Sequence, residues 1–426
     1  MGQTIEFTLD AIAHGGESIG RHAGKTVFVP YGIPGERVRV ELVEEKERWA
    51  RARLIAVLQP SLDRVEPPCP YFGPDKCGGC QWQHIAYERQ AALKQEIVAD
   101  QLRRLGHIER PHIADVIAVA DPEAGEGEAP YLDYGYRNQI DFGIAHGQTA
   151  LRRADGRALI PVDFCLLVND RIDRLHGALQ VDYPELTGIR IRASENTDDA
   201  MVLLETTAEA DGAAAPEIEI DLPAAVAFHG ERRVQPLIGE PFITEDMNGL
   251  AYRISPLSYF PPNTAATAAL IEVVLAYADP QPAKRVLDLY CGVGLFSIPL
   301  AHAGASVTGV ESNPAACEDF AINAGERENI ELHEGAVEEV LPALLAGGQH
   351  FDVVVLDPPN TGAGADVLRT VAGFGPLHLI YVAGDPAGLA RDAVHLLSLG
   401  YRLVEVQPID LQPQTFRIET VALWER

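Results

Sequence analysis

Positive charge is scarce in this chain. Its 426 residues carry 34 Lys and Arg against 62 Asp and Glu, a formal net charge of −28. That balance argues against a strong general binder of nucleic acid, because phosphate neutralisation dominates such affinity. Long apolar runs are also missing. None approaches the roughly 20 residues needed to span a bilayer, so no membrane association is expected. The start, MGQTIEFTLDAIA, lacks a basic region followed by an apolar block, so no secretory signal is expected and cytoplasm is the default. Only six cysteines are present. In a cytosolic chain they are not expected to form disulfides.

The acid is unevenly placed. The first 60 residues balance eight basic residues (Arg21, Lys25, Arg37, Arg39, Lys46, Arg48, Arg51, Arg53) against eight acidic ones. From Ala193 to Glu231 there is no Lys or Arg, while Glu195, Asp198, Asp199, Glu205, Glu209, Asp211, Glu217, Glu219 and Asp221 accumulate. This stretch reads either as a solvated face or as a device that weakens RNA affinity. A local basic patch remains compatible with both.

Three regions differ in pattern. Residues 4–58 hold short alternating runs (TIEFTL, KTVFVP, RVRVELVE, ARLIAVL) broken by HGGESIG and YGIPGE, which predicts a small β-barrel. A proline-rich linker, PSLDRVEPPCP, leads to a cysteine-bearing loop and a helical run at Tyr87–Leu105. The middle is mixed, with strand-like GYRNQIDFGIA and AMVLLETT between turn-rich ADPEAGEGEAP and EADGAAAPE. From about residue 264 strands and helices alternate, through RVLDL, SVTGVE, FDVVVLD, HLIYVA and YRLVEVQPID. That pattern predicts a doubly wound α/β domain. The expected division is 1–62, 63–255 and 256–426.

Asp288-Leu-Tyr-Cys-Gly-Val-Gly294 falls at a strand-to-helix turn. Gly292 and Gly294 permit a tight bend and close approach of a ligand. Ser297 takes the place of the third glycine of a full dinucleotide fingerprint. The next strand ends in Glu311, nineteen residues after Gly292, where a carboxylate can hold ribose hydroxyls. Together they point to a nucleoside cofactor. Separately, Cys69-x7-Cys77-Gly-Gly-Cys80 and the distant Cys165 are ligand-like for zinc or an iron–sulfur cluster.

With FSIPLA behind it, DLYCGVG resembles the cofactor turn of class I methyltransferases, which implies S-adenosylmethionine. More narrowly, the chain resembles the RNA (uracil-C5) methyltransferases. The resemblance implies that Tyr290, Glu311 and Asp357 contact the cofactor, and that Glu419 in FRIETVALWER assists proton removal. CGGCQWQH followed by IAYERQAALK resembles the iron–sulfur segment of the rRNA-modifying branch. This implies a 4Fe–4S cluster on Cys69, Cys77, Cys80 and Cys165, with zinc as the alternative. HGGESIGR…VFVPYGIPGERVRVEL resembles the TRAM domain, an OB-like RNA-binding module. The expected fold is therefore multidomain: a TRAM-like barrel, a mixed α+β centre and a class I methyltransferase domain. Structured RNA is the expected partner, rRNA ahead of tRNA, with no DNA and a monomeric chain.

The resemblance breaks around the substrate. YVAGDPAGLARD places Gly384 where the family carries its nucleophilic cysteine. Uracil C5 is a poor nucleophile until a thiolate adds at C6, and glycine has no side chain to make that bond. DPPN puts Asn360 where the family carries Arg, and SYFPPN puts Pro261 where it carries glutamine. Tyr136-Arg137-Asn138-Gln139 keeps the arginine of a family YR-N-K motif but not the lysine. Uracil-C5 methylation is therefore expected to be lost. A non-catalytic binder of RNA or S-adenosylmethionine, or a methyltransferase acting on another RNA atom, are the alternatives.

Overall fold

The computed structural model describes residues 2–121, 124–125, 130–207, 216–230 and 233–426. Much of the two turn-rich central stretches, with Glu209, Asp211 and Glu231, lies outside the described residues.

The alternating N-terminal segment closes into a five-stranded barrel (Thr4–Ile12, Ser18–His22, Lys25–Val29, Arg37–Glu45, Trp49–Gln59). Alternation explains it: Ile5, Leu9, Val27, Val29, Val38, Val40, Ala50 and Ala52 fill the inside, while charged residues face out. The strand Ser18–His22 starts inside the predicted HGGESIG break, since only its glycines make the turn.

A seven-stranded central sheet follows. Four of its inner strands, Gln139–Ala145, Leu186–Ala193, Ala200–Thr206 and Ala225–His229, share a core with the helix Asp170–Ala178 around Ile172 and Leu175. The hairpin Ile243–Met247/Leu250–Ile254 does not join this sheet. Its Ile243, Met247, Tyr252 and Ile254 enter the core of the C-terminal layer, so in packing that layer begins before residue 256.

The C-terminal sheet has the order Ile330–Glu334, Ser306–Glu311, Arg285–Leu289, Val353–Leu356, His378–Ala383, Glu419–Glu425, Arg402–Ile409. All neighbours are parallel except those of Glu419–Glu425, which runs antiparallel to both flanking strands. Helices cover both faces, giving two apolar layers on either side of the sheet. The strand order reverses between Arg285–Leu289 and Val353–Leu356, which themselves run parallel. A crevice opens at such a switch point, at the carboxyl ends of the strands.

The helix Tyr87–Arg104, read from sequence with the central region, packs instead against the helix Pro386–Ser398. Lys94 is its anchor. Fully buried, it forms an ion pair of 2.5 Å with the equally buried Asp410, and Tyr87 Oη donates to the same carboxylate at 3.1 Å. Gln90 and Gln414 exchange two further hydrogen bonds. The segment 410–414 is thereby bolted to a helix more than 300 residues earlier.

Candidate cofactor and base site

The cofactor turn is built locally. Tyr290, Gly292 and Gly294 have φ of 61°, 56° and 92°, so the chain runs through left-handed backbone immediately after the strand. For tyrosine this conformation is strained by about 1 kcal/mol or more. At Gly294 a Cβ would come within 2.9 Å of Ile298, whereas at Gly292 it would meet nothing within 4 Å. Gly294 is thus required by packing, and the space before Gly292 is open for a ligand.

Glu311 closes the turn. Its carboxylate accepts from Gly292 N–H at 2.9 Å and from the Ser312 and Asn313 N–H groups at 2.7 Å each. Asp288 lies beneath, fully buried, accepting from Ser297 Oγ at 2.6 Å, while its Oδ1 has no partner. Burial, with the nearby Glu311 charge adding, pushes the Asp288 carboxyl up to about 7. Asp357, one residue past Val353–Leu356, is pushed up to about 7 by burial and by Asp288. Tyr290, half-buried, stands beside them, its hydroxyl held above its usual value by burial and by Glu338. This cradle of unsatisfied or reluctant carboxyls and an open glycine turn suits a cationic nucleoside ligand.

The base side is assembled from distant segments. A cavity of about 280 Å³ is lined by Arg137, Gln139, Tyr259, Asn360, Gly384, Gln412, Arg417 and Glu419, among others. The antiparallel register pairs Ala383 with Thr420, which sets Glu419 beside Gly384. A Cβ on Gly384 would lie 3.3 Å from both Asn360 Oδ1 and Glu419 Oε2. The backbone of Gly384 is not left-handed, so no conformational need keeps glycine there. Gly388 differs: a Cβ there would lie 2.7 Å from the Asn360 carbonyl oxygen. Burial and the neighbouring Asp357 hold the Glu419 carboxyl well above its ordinary range.

Asn360 lines this cavity beside Gly384, whereas Pro261 does not and its neighbour Pro262 does. Asn360 sits on a loop pinned by Asp392, which accepts from Ala363 N–H at 2.6 Å, Gly364 N–H at 3.2 Å and Tyr381 Oη at 2.7 Å. Pro261 offers only its carbonyl, which accepts from Asn138 Nδ2 at 3.1 Å. Asn138 thus joins the central sheet to the methyl-transfer layer. Cys291 and Cys317 are buried and line no part of this cavity. Neither places a thiol in this cavity.

Cys69, Cys77, Cys80 and Cys165 line a second cavity, of about 410 Å³. All four are free thiols. Burial pushes Cys80 up to about 12, with the other three thiols contributing, and raises Cys77 and Cys165 as well. Among the described residues no three His, Cys, Asp or Glu side chains converge closely enough to grip a single ion. Arg137 lines this cavity as well as the base cavity.

Comparison with known proteins agrees with the geometry. The TRAM domain model matches residues 1–55, and the tRNA (uracil-5-)-methyltransferase model matches residues 238–426. An uncharacterized RNA methyltransferase of Streptomyces coelicolor is 35% identical, with 100% of this chain and 93% of that protein covered. The chain belongs to the RNA uracil-5-methyltransferase family. A second such relative, from Thermosynechococcus vestitus, is 33% identical over 99% of this chain and 98% of its own length. The crystal structure of Pyrococcus abyssi tRNA (uracil-54, C5)-methyltransferase with S-adenosyl-L-homocysteine superposes with a TM-score of 0.74. It covers 99% of this chain and 100% of its own at 23% identity, a likeness of fold. This family membership makes the chain one of the S-adenosylmethionine-dependent RNA methyltransferases by descent. No helix among the described residues is long and apolar enough to cross a membrane.

Sequence reading named Tyr290, Gly292, Gly294, Glu311, Asp357, Gly384 and Glu419, and the structure gathers all of them at one sheet edge. It missed Arg417 and Gln412. Both neighbour Glu419 in sequence, but nothing in their spacing marks them as facing the cavity.

Proposed function

We propose that this protein binds S-adenosylmethionine at Tyr290–Gly294, Glu311 and Asp357, binds RNA over the adjoining cavity, and does not methylate uracil C5. The observation that carries this reading is Gly384. It faces Asn360 and Glu419 across a formed cavity that no cysteine lines. The cofactor, when bound, supplies an electrophilic methyl group. The chain supplies at Glu419 a carboxyl that can take a proton once ionised, but no atom able to add to C6.

A second reading is favoured by Glu419 itself. A base poised at the cavity wall would serve transfer to an atom already nucleophilic, such as an exocyclic amine. The amine nitrogen would attack the methyl carbon, the carbon–sulfur bond would break, and Glu419 as carboxylate would take the released proton. Nucleoside mass spectrometry of RNA from wild-type and deletion cells separates the readings. Identical profiles support a binding protein. Loss of 5-methyluridine from the deletion strain would sink the proposal, and loss of a different methyl mark would select the second reading.

We propose a 4Fe–4S cluster on the four cysteines from their Cys-x7-Cys-x2-Cys spacing and the family resemblance; all four line one cavity of about 410 Å³. Cys69, Cys77 and Cys80 approach from the loop before Tyr87–Arg104, and Cys165 from the central domain, so the cluster's role would be structural. Iron and sulfide analysis of anaerobically purified protein tests it. About one zinc and no iron per chain would replace it with the zinc alternative.

A further inference from the structure

Six of the barrel's eight cations are already taken. Arg37 and Arg39 pair with Glu6 at 3.3 and 2.7 Å, Arg51 with Glu17 at 3.1 Å, and Arg53 with Glu41 at 2.5 Å. Lys25 pairs with Glu45 at 2.5 Å and Lys46 with Glu44 at 3.3 Å. Only Arg21 and Arg48 of the eight form no ion pair among the described residues. Each exposed pair is weak on its own. A phosphate approaching Arg39 or Arg53 nevertheless meets a carboxylate at the same place, so attraction and repulsion largely cancel. Little counterion release is left to drive binding.

The mouth of the base cavity is the opposite case. Arg417 is exposed and Arg137 half-buried, both line the cavity, and neither forms an ion pair among the described residues. The Arg417 guanidinium lies 5.9 Å over the Phe416 ring, and Arg137 Nε donates only to the Gln139 carbonyl at 3.2 Å. The barrel supports this mouth mechanically. His14 Nε2 lies 3.2 Å from Asp385 Oδ1, next to Gly384. Trp82 Nε1 donates to the Gly16 carbonyl at 3.0 Å, and a Cβ on Gly16 would lie 2.7 Å from Phe416 Cβ.

We propose that phosphate recognition is concentrated at the cavity mouth, on Arg417 and Arg137, and that the barrel acts as a brace for that mouth, not as a phosphate clamp. This rests on the RNA-binding reading above. It goes beyond it by assigning the electrostatic part of binding to two residues and removing it from the module that family resemblance would favour.

The test is the salt dependence of binding of a fluorescein-labelled oligouridine of about 12 nucleotides to the full chain. Two phosphate contacts on a single strand give a slope of log K against log salt of about −1.4. Arg417→Ala and Arg137→Ala should each flatten the slope by about 0.7, while Arg417→Lys should retain it. Because Arg137 also borders the cysteine cavity, Arg417 is the cleaner test. A barrel variant carrying Arg21→Ala, Arg37→Ala, Arg39→Ala, Arg48→Ala, Arg51→Ala and Arg53→Ala should leave the slope unchanged. Thermal melts of each variant show that it is folded. A barrel variant that flattens the slope by about 0.7 or more, or an unchanged slope in Arg417→Ala, overturns the inference while leaving RNA binding intact. Absence of any binding by the wild-type chain overturns the RNA reading itself.

Discussion

The cofactor turn and the base cavity share one edge of one sheet, yet they are held together differently. The cofactor turn comes from two neighbouring strand ends, with Glu311 tied to Gly292 and its own following amides. Its geometry is set by left-handed backbone and by close packing at Gly294. The base cavity draws on residues near 137, 260, 360, 384 and 417, which meet only when the central and C-terminal regions dock. A local turn depends on each of its parts. A composite cavity can lose a side chain, as at Gly384, and keep its walls.

The sharpest way to break the contrast is at the bolt under the base cavity. Lys94→Ala leaves Asp410 buried without its cation, and urea unfolding should show a loss of about 3–5 kcal/mol. A loss below about 1 kcal/mol would mean that the 410–417 segment is held in some other way. On the cofactor side, Glu311→Ala removes a charged acceptor from three amides and from the ligand. Calorimetry should show S-adenosylmethionine binding weakened by about 2 kcal/mol, roughly 30-fold. Oligouridine binding should not move. If both fall together, the two halves are not separable.

A smaller effect follows from protonation. Asp288 and Asp357 are both raised to about 7 by burial, so near neutrality they are partly protonated. A cationic ligand favours their ionised forms, so its affinity should rise between about pH 6 and pH 8, with protons released on binding. For the ligand-free fold the sign is reversed. Stability from these groups is full below about pH 4 and is lost as the pH rises through about 7. Pairs of titrations in buffers of different ionisation enthalpy read the proton release directly, and proton uptake would contradict the assignment.

The smallest expected change is at the gap itself. Gly384→Ala should alter stability by less than about 1 kcal/mol, since the neighbouring Glu419 and Asn360 termini can shift by tenths of an ångström. Gly388→Ala should cost more, because the backbone carbonyl of Asn360 cannot move aside as easily. Equal losses at the two glycines would show that Gly384 is kept for packing.

Several elements escaped the sequence reading for identifiable reasons. The helix Val337–Ala346 carries apolar residues at helical spacing, but Pro342 interrupts the pattern. The helix Gly364–Gly373 begins and ends in glycine and looks like loop. The strand Ile330–Glu334 is short and alternates with acidic residues. None of these carries a named site residue. Hence the glycine turn and its acid could be read while three elements of their domain were missing.

The chain by itself determined the barrel, the alternating C-terminal layer, the glycine turn with its acid, and the lack of a side chain at Gly384. Those features are short-range: alternation, glycine spacing and strand-to-helix order act within about 30 residues. Tertiary structure alone decided that Lys94 would meet Asp410, that the hairpin at 243–254 would join the C-terminal core, and that His14 would reach Asp385. It also decided which arginines keep a free charge. Ion pairing depends on what lies within about 4 Å in space, and a sequence of eight cations and eight anions does not say which of them will neutralise one another.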